Sequence, residues 1–267
     1  MRAFLTAVLL LFATPAYAAA LDLKGEPVQG GLIFGKTEAG ATVLLDGKPI
    51  LTSAGGDFVI GFSRDGKGPH ELTIVGRDGR RESRVLAVIE RSFDIQRIDG
   101  LPERQVTPNA DDLARIRTEA AEMKQARGHI GADALFRSGF DWPAEGPISG
   151  VYGSQRILNG QPRAPHFGLD IAGATGTPVR AAAAGTVLFA HPGMYFNGRT
   201  LVIDHGLGLQ SIYLHLSEIS IQPGARVEKG QIVGKIGATG RVTGAHLHWG
   251  LQWNEIYVDP QLVLPPR

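Results

Sequence analysis

The sequence predicts a mainly β protein of two folded units, joined by a linker that carries one helix. Three observations lead there. Over residues 21–91 short apolar runs alternate with turn dipeptides; a helical apolar spacing occurs at about 108–127; and from Phe140 onward β-type runs return, cut by Gly and Pro. A chain of 267 residues is long enough for two units, each with its own core.

At the N-terminus, Met1-Arg2, an apolar run from Ala3 to Ala13 and Thr14-Pro15-Ala16-Tyr17-Ala18 have the three parts of a secretory leader, with small residues at −3 and −1 of a cut after Ala18. Residues 1–18 are therefore expected to be a signal peptide. The run is too short for the roughly 20 residues that a membrane-crossing helix requires, and no later stretch could span, so no integral membrane segment is expected in the mature chain. The chain has no cysteine, which excludes a lipid-modified cysteine and a disulfide framework. Cutting off the one Arg of the leader leaves 26 basic against 26 acidic residues, a balance that argues against nucleic acid as partner.

Residues 19–92 read as a β-sandwich accessory unit. The runs Gly31–Phe34, Ala41–Leu45, Asp57–Phe62, Glu71–Val75 and Arg84–Val88 are separated by Asp46-Gly47, Gly55-Gly56-Asp57 and Asp78-Gly79, which tolerate positive φ and close hairpins. Five or six strands at this spacing resemble the immunoglobulin-like modules of exported bacterial proteins. That likeness implies a scaffold or spacer. His70, at a loop edge, reads as a surface histidine.

Residues 93–139 read as the linker. An extended piece, Ser92–Ile98, is followed by a helix over about 108–127, with Thr107 as cap, Pro108 at the first position, Asp111 and Asp112 near the positive end and Gly128 after the last turn. Leu113, Ile116, Ala120 and Met123 recur at three- and four-residue steps and predict an apolar stripe docked on a domain. Fewer than three heptads are available for a coiled coil.

Residues 140–267 form the second unit. Thr186–Phe189, Thr200–Ile203, Gln210–His215, Gln231–Ile236 and Ala245–Trp253 read as strands, and no useful helix is expected after Gly128. In a strand His246 and His248 share a face about 7 Å apart, while Leu247 and Trp249 face the other way. Pro165 and Gly168 make a loop entering a strand the better reading of His166 and Asp170 than a helical i, i+4 pair. Two imidazoles and a carboxylate suit a catalytic zinc with a fourth position for water. A His-Glu-x-x-His helix is absent. Which histidine of the pair binds metal is left open by spacing alone.

The order His166-x-x-x-Asp170, Tyr213-x-His215-Leu216, Thr243-Gly244-x-His246-Leu247-His248 resembles the lysostaphin/LytM-type zinc metallopeptidases, with an antiparallel β-sheet fold and a groove over the metal. The likeness extends over about Gly146–Pro260 and includes Asn159-Gly160, Gly176–Val179, Ile203–Gly206 and Gly237–Arg241. It implies His166, Asp170 and His248 as ligands of one zinc ion per chain, and His215 and His246 as catalytic histidines. It also implies amide hydrolysis of the peptide cross-links of peptidoglycan, at D-amino-acid bonds between stem peptides or, as second choice, in a glycine bridge. Asn159, Arg163, Tyr195 and Arg241 read equally as groove residues or as turn and rim residues. His191 and His205 read as ordinary histidines, His205 with a secondary reading as a partner to a ligand.

The stretch Ile221–Gln231 also looks like half of a lipoyl or biotinyl carrier, but no lysine stands at the tight turn Gly237–Gly240 that such a carrier needs. Two competing readings differ in class. One is a non-catalytic envelope regulator that activates a cell-wall amidase, against which the full set of five residues argues. The other is a phosphotransfer carrier of the glucose-permease type, against which the leader argues. The leader and the lack of wall-binding repeats lead to an expectation of the Gram-negative periplasm.

Overall fold

The structure, a computed structural model, describes residues 21–267, so the expected leader lies outside the described residues. Seven strands build the first unit: β1 (Asp22–Lys24), β2 (Leu32–Lys36), β3 (Thr42–Leu45), β4 (Lys48–Ile50), β5 (Asp57–Gly61), β6 (Pro69–Val75) and β7 (Arg81–Ala87). They form antiparallel sheets in the orders β1-β2-β5 and β4-β3-β6-β7. Ile33, Phe58 and Ile60 from one sheet meet Val43, Leu72 and Ile74 from the other in a common buried core. The sequence expectation was five or six strands; β1 and β4, three residues each, are too short to stand out as apolar runs. Asp46 and Gly47 both take positive φ, 51° and 74°, and close the two-residue hairpin between β3 and β4.

The linker holds β8 (Ile95–Ile98), a four-residue helix α1 (Glu103–Val106) and α2 (Ala110–Arg127). The expected helix exists, but its start differs. Thr107 closes α1, and Asn109 caps α2 with a side chain that accepts from Asp112 N. Gly128 ends it as expected. The apolar stripe is only partly docked: Leu113 is exposed, Met123 packs on Val202, Ile212 and Leu214, and the buried positions are Asp112 and Glu119. The helix is held by polar ties instead. Glu119 accepts from Tyr195 N at 2.7 Å, and Arg115 donates to Gly193 O at 2.7 Å.

The second unit contains β9 (Ile148–Gly150), β10 (Gln155–Leu158), β11 (Gln161–Pro162), β12 (Leu169–Ala172), β13 (Pro178–Arg180), β14 (Gly185–Met194), β15 (Gly198–Asp204), β16 (Leu209–Leu216), β17 (Glu218–Ile219), β18 (Arg226–Val227), β19 (Ile232–Lys235), β20 (His246–Trp253) and β21 (Ile256–Val258). Its main sheet runs β18-β14-β15-β16-β20-β12-β9, with β21 on β20. Strand β8 pairs parallel to β10, Ile98 opposite Leu158, so part of the linker belongs to this unit's surface. Among the described residues, helix after Gly128 is limited to two 3-10 turns, and no helix is long and apolar enough to cross a membrane.

Alternation divides the main sheet into two faces. Leu169, Ile171, Tyr213, Leu247, Trp249 and Leu251 face the large core, and Asp170, Ile212, Leu214, His246 and His248 face the other way. That core continues into the first unit through Leu32 and Val59, with the Phe34 ring 5.3 Å from Phe136. Arg91 pairs with the buried Asp259 at 2.8 Å across the same junction.

Candidate metal centre

Strands β12 and β20 pair antiparallel with Asp170 opposite His248 and Ala172 opposite His246. His166 enters from the loop before β12, as Pro165 and Gly168 led one to expect. A Cβ at Gly168 would lie 2.6 Å from the His248 imidazole, and one at Gly150 would lie 2.5 Å from Asp170 Oδ2. Both glycines are therefore required by close approach to the site.

Three side-chain atoms converge. His166 Nε2 is 2.9 Å from Asp170 Oδ1 and 2.9 Å from His248 Nδ1, which is itself 2.8 Å from Asp170 Oδ1. His166 Nδ1 donates to Val151 O at 2.9 Å, which leaves Nε2 with a lone pair aimed into the triangle. One shared proton can serve two of these acceptors; a single cation at about 2.0–2.2 Å serves all three. His166 and Asp170 are buried. Burial pushes the His248 imidazole down to about 4, against its bond to Asp170, so its lone pair is available near neutral pH. Burial would raise Asp170, but the close His166 and His248 imidazoles outweigh it and hold the carboxyl well below its usual range. The donor set and its spacing fit a zinc ion, and among the described residues this trio is the group that could hold one.

His215 and His246 flank the trio. Their rings are 4.9 Å apart, and His215 is 6.2 Å from the His248 ring. By alternation His215 would follow Tyr213 into the core. Instead β15 and β16 lose register between Arg199 and Leu201, and His215 takes φ 64°, a bulge that turns its ring onto the groove side. His215 Nδ1 donates to Thr239 O and His246 Nδ1 to Gly244 O, both at 2.9 Å, which leaves each Nε2 as the free ring nitrogen. Burial, then the fields of His248 and His246, push the His215 imidazole down to about 3. His246 Nε2 lies 3.8 Å from Asp170 Oδ1.

Arg156, which the sequence reading passed over, donates from Nη2 to Asp170 Oδ2 at 3.1 Å, and from Nε to Gln96 at 3.2 Å. Nothing in its local sequence marks it; only the pairing of β8 with β10 brings Gln96 alongside. His205 is buried away from the trio, with Nδ1 on Ala184 O at 2.7 Å and Nε2 2.8 Å from Ser211 Oγ. His191 accepts from Gly193 N, and His70 pairs with Asp46 at 2.7 Å on the surface.

The profile of Peptidase family M23 matches residues 164–260, which include all five histidine and aspartate positions of the site. The chain is 32% identical over 219 residues to the Vibrio cholerae peptidoglycan DD-endopeptidase ShyA, covering 76% of this chain and 50% of that protein. It is 35% identical over 129 residues to a Pseudomonas aeruginosa NlpD/LppB lipoprotein homologue, 48% of this chain and 41% of that one. It spans half or less of the length of these curated relatives. A Pseudomonas aeruginosa crystal structure described as a candidate M23 peptidase superposes with a TM-score of 0.68 at 32% identity, covering 89% of this chain and 95% of that one.

Proposed function

Because this chain belongs to peptidase family M23, we propose that it is a zinc-dependent endopeptidase that hydrolyses peptide cross-links of peptidoglycan after export to the periplasm. The observation that carries the reading is the triangle of His166 Nε2, Asp170 Oδ1 and His248 Nδ1, three acceptors within 2.9 Å of one another, with two further imidazoles alongside. The likeness to ShyA supports peptidoglycan as the substrate.

In this account His166, Asp170 and His248 hold one zinc per chain. That ion supplies a Lewis acid for the scissile carbonyl and a bound water of pKa about 7. His215 and His246 each present an unprotonated Nε2 to the groove, where the imidazole that accepts the proton of the attacking water would, as imidazolium, donate to the oxyanion and then pass that proton to the leaving amine. Their carbonyl partners, Thr239 and Gly244, fix the tautomers that this proton transfer needs. Arg156 holds the second oxygen of Asp170 and keeps Oδ1 directed into the triangle.

The likeness to the NlpD/LppB homologue motivates the second reading, a regulator without activity of its own. The complete set of five residues favours the enzyme. The test is digestion of purified cross-linked muropeptide dimers by zinc-loaded protein and by His248→Ala. Dimers converted to monomers by wild type alone support the endopeptidase. Dimers left intact by wild type with zinc bound would remove cross-link cleavage and leave the regulator.

A further inference from the structure

Of the four residues that read as groove or rim, three turn polar groups to the linker's main chain. Asn159 accepts from Leu101 N at 3.2 Å and donates to Leu101 O at 2.8 Å. Arg163 Nη2 donates to Val106 O at 2.9 Å, and the Tyr195 hydroxyl donates to Arg104 O at 2.9 Å. Arg241 differs: it lines the cavity whose wall also includes Asp170, His215 and His246, and that cavity measures about 160 Å³. The volume suits one substituent of a substrate, since pockets for drug-sized ligands run to about 300–1,000 Å³.

The charge of this cavity is one-sided. Arg156 and Arg241 are its cations, and among the described residues Asp170 is the one acid in its wall. Asp170 already faces His166, His248 and Arg156, and a dication held by the trio would cancel it with charge to spare. Arg241 is half-buried, its guanidinium carbon 4.2 Å from the centre of the Phe196 ring, and its main-chain N donates to Phe196 O at 2.8 Å. Burial, then the fields of Arg156 and Arg163, push the Arg241 guanidinium below its ordinary value. Like charges crowded away from bulk water cost free energy that an anion recovers. A peptide of amides alone, such as a glycine bridge, brings no such charge.

We propose that Arg241 is a specificity-determining residue that binds a carboxylate of the substrate, the one on the carbon that bears the scissile amide nitrogen, within the positive field of Arg156 and Arg163. The proposal rests on the endopeptidase reading for where that carboxylate stands. Arg241 and His246 line one cavity, so a carboxylate one carbon from the leaving amine enters it while the amine stays beside the imidazoles. A guanidinium fork meets the two carboxylate oxygens with parallel N–H···O bonds, which an ammonium group cannot do.

The test uses the full chain loaded with zinc and three forms of one muropeptide dimer: unmodified, amidated at the carboxylate beside the scissile amide, and amidated at a carboxylate elsewhere in the stem. For wild type, the first amidation is expected to raise KM about 10–100-fold with a much smaller change in kcat, the range that a lost charge-assisted hydrogen bond gives, and the second to change little. Arg241→Gln is expected to raise KM for the unmodified dimer by the same factor and to add nothing to the penalty of the first amidation. A merely structural role would weaken both dimers alike. Arg241→Lys should fall between wild type and Arg241→Gln. Equal KM for the unmodified dimer and the one amidated beside the scissile bond, measured on wild type alone, would overturn the proposal even if the variants fail to fold. A penalty confined to the remote amidation, or an equal loss on both dimers in Arg241→Gln, would overturn it too. Calorimetric binding of the cleavage monomer, with its amine and neighbouring carboxylate free, gives a readout apart from turnover. Binding that depends on this carboxylate and is lost in Arg241→Gln, with no dimer cut by any form, would keep the carboxylate site and remove the endopeptidase reading. Binding that ignores the carboxylate would overturn the site.

Discussion

Asp170 and His248 stand directly opposite each other on β12 and β20, and their side chains meet at 2.8 Å on the face away from the core. A one-residue slip would send both inward in exchange for Ile171 and Leu247. Burial of those two and of Leu169 and Trp249 thus fixes the register that assembles the trio. The apolar alternation and the candidate metal site are one specification.

Gly168 tests that closeness. In Gly168→Ala the new methyl meets the His248 ring at 2.6 Å, and the imidazole must move. Zinc affinity is expected to fall about 10–100-fold, the range found when a ligand's surroundings are disturbed, with the fold retained by circular dichroism. Unchanged zinc affinity in a competition titration would refute the packing argument.

Arg156→Met keeps most of the apolar stem and removes the donor to Asp170 Oδ2. Weakening of zinc binding by about 10–100-fold is expected, again read by titration. Affinity equal to wild type would mean that Arg156 does not orient Asp170.

His215 separates binding from chemistry. His215→Ala should keep its zinc while losing about 10²–10⁴-fold in kcat, the usual contribution of a positioned acid or base. Because residue 215 sits at φ 64°, His215→Gly should be more stable than His215→Ala by about 1 kcal/mol, measured by thermal denaturation. Equal stability would show that the left-handed backbone relaxes once the ring is gone.

His205 gives the fold a pH dependence outside the site. Burial holds its imidazole at about 4, below the ordinary value of 6.5, so between those values the unfolded chain binds the extra proton. Its contribution to stability is complete above about pH 6.5 and declines as pH falls toward 4, by up to about 3 kcal/mol. Denaturant titrations of wild type and His205→Gln over pH 4.5–7 should show the steeper loss in wild type. Parallel curves would assign the acid sensitivity to other groups.

Much of this was legible in the sequence. The five candidate site residues, which the structure brings together, lie in short segments whose local chemistry is distinctive: Pro and Gly around His166 and Asp170, alternation at His246 and His248. The helix expected at about 108–127 is found at Ala110–Arg127. What escaped depends on partners distant in the chain. The carbonyls of Val151 and Thr239 that set two tautomers have no side-chain signature. Arg156 is an ordinary residue until β8 brings Gln96 beside it. The face that α2 buries is set by Tyr195 N and Gly193 O, which an apolar stripe cannot encode. The turn of His215 out of alternation comes from a bulge against β15.

The account turns on one ion in one place. Anomalous scattering from crystals of zinc-loaded protein, recorded on both sides of the zinc absorption edge, tests it most directly. A single peak per chain at about 2.0–2.2 Å from His166 Nε2, Asp170 Oδ1 and His248 Nδ1 is the predicted result. No zinc peak there, or a zinc ion held by other residues, would contradict it.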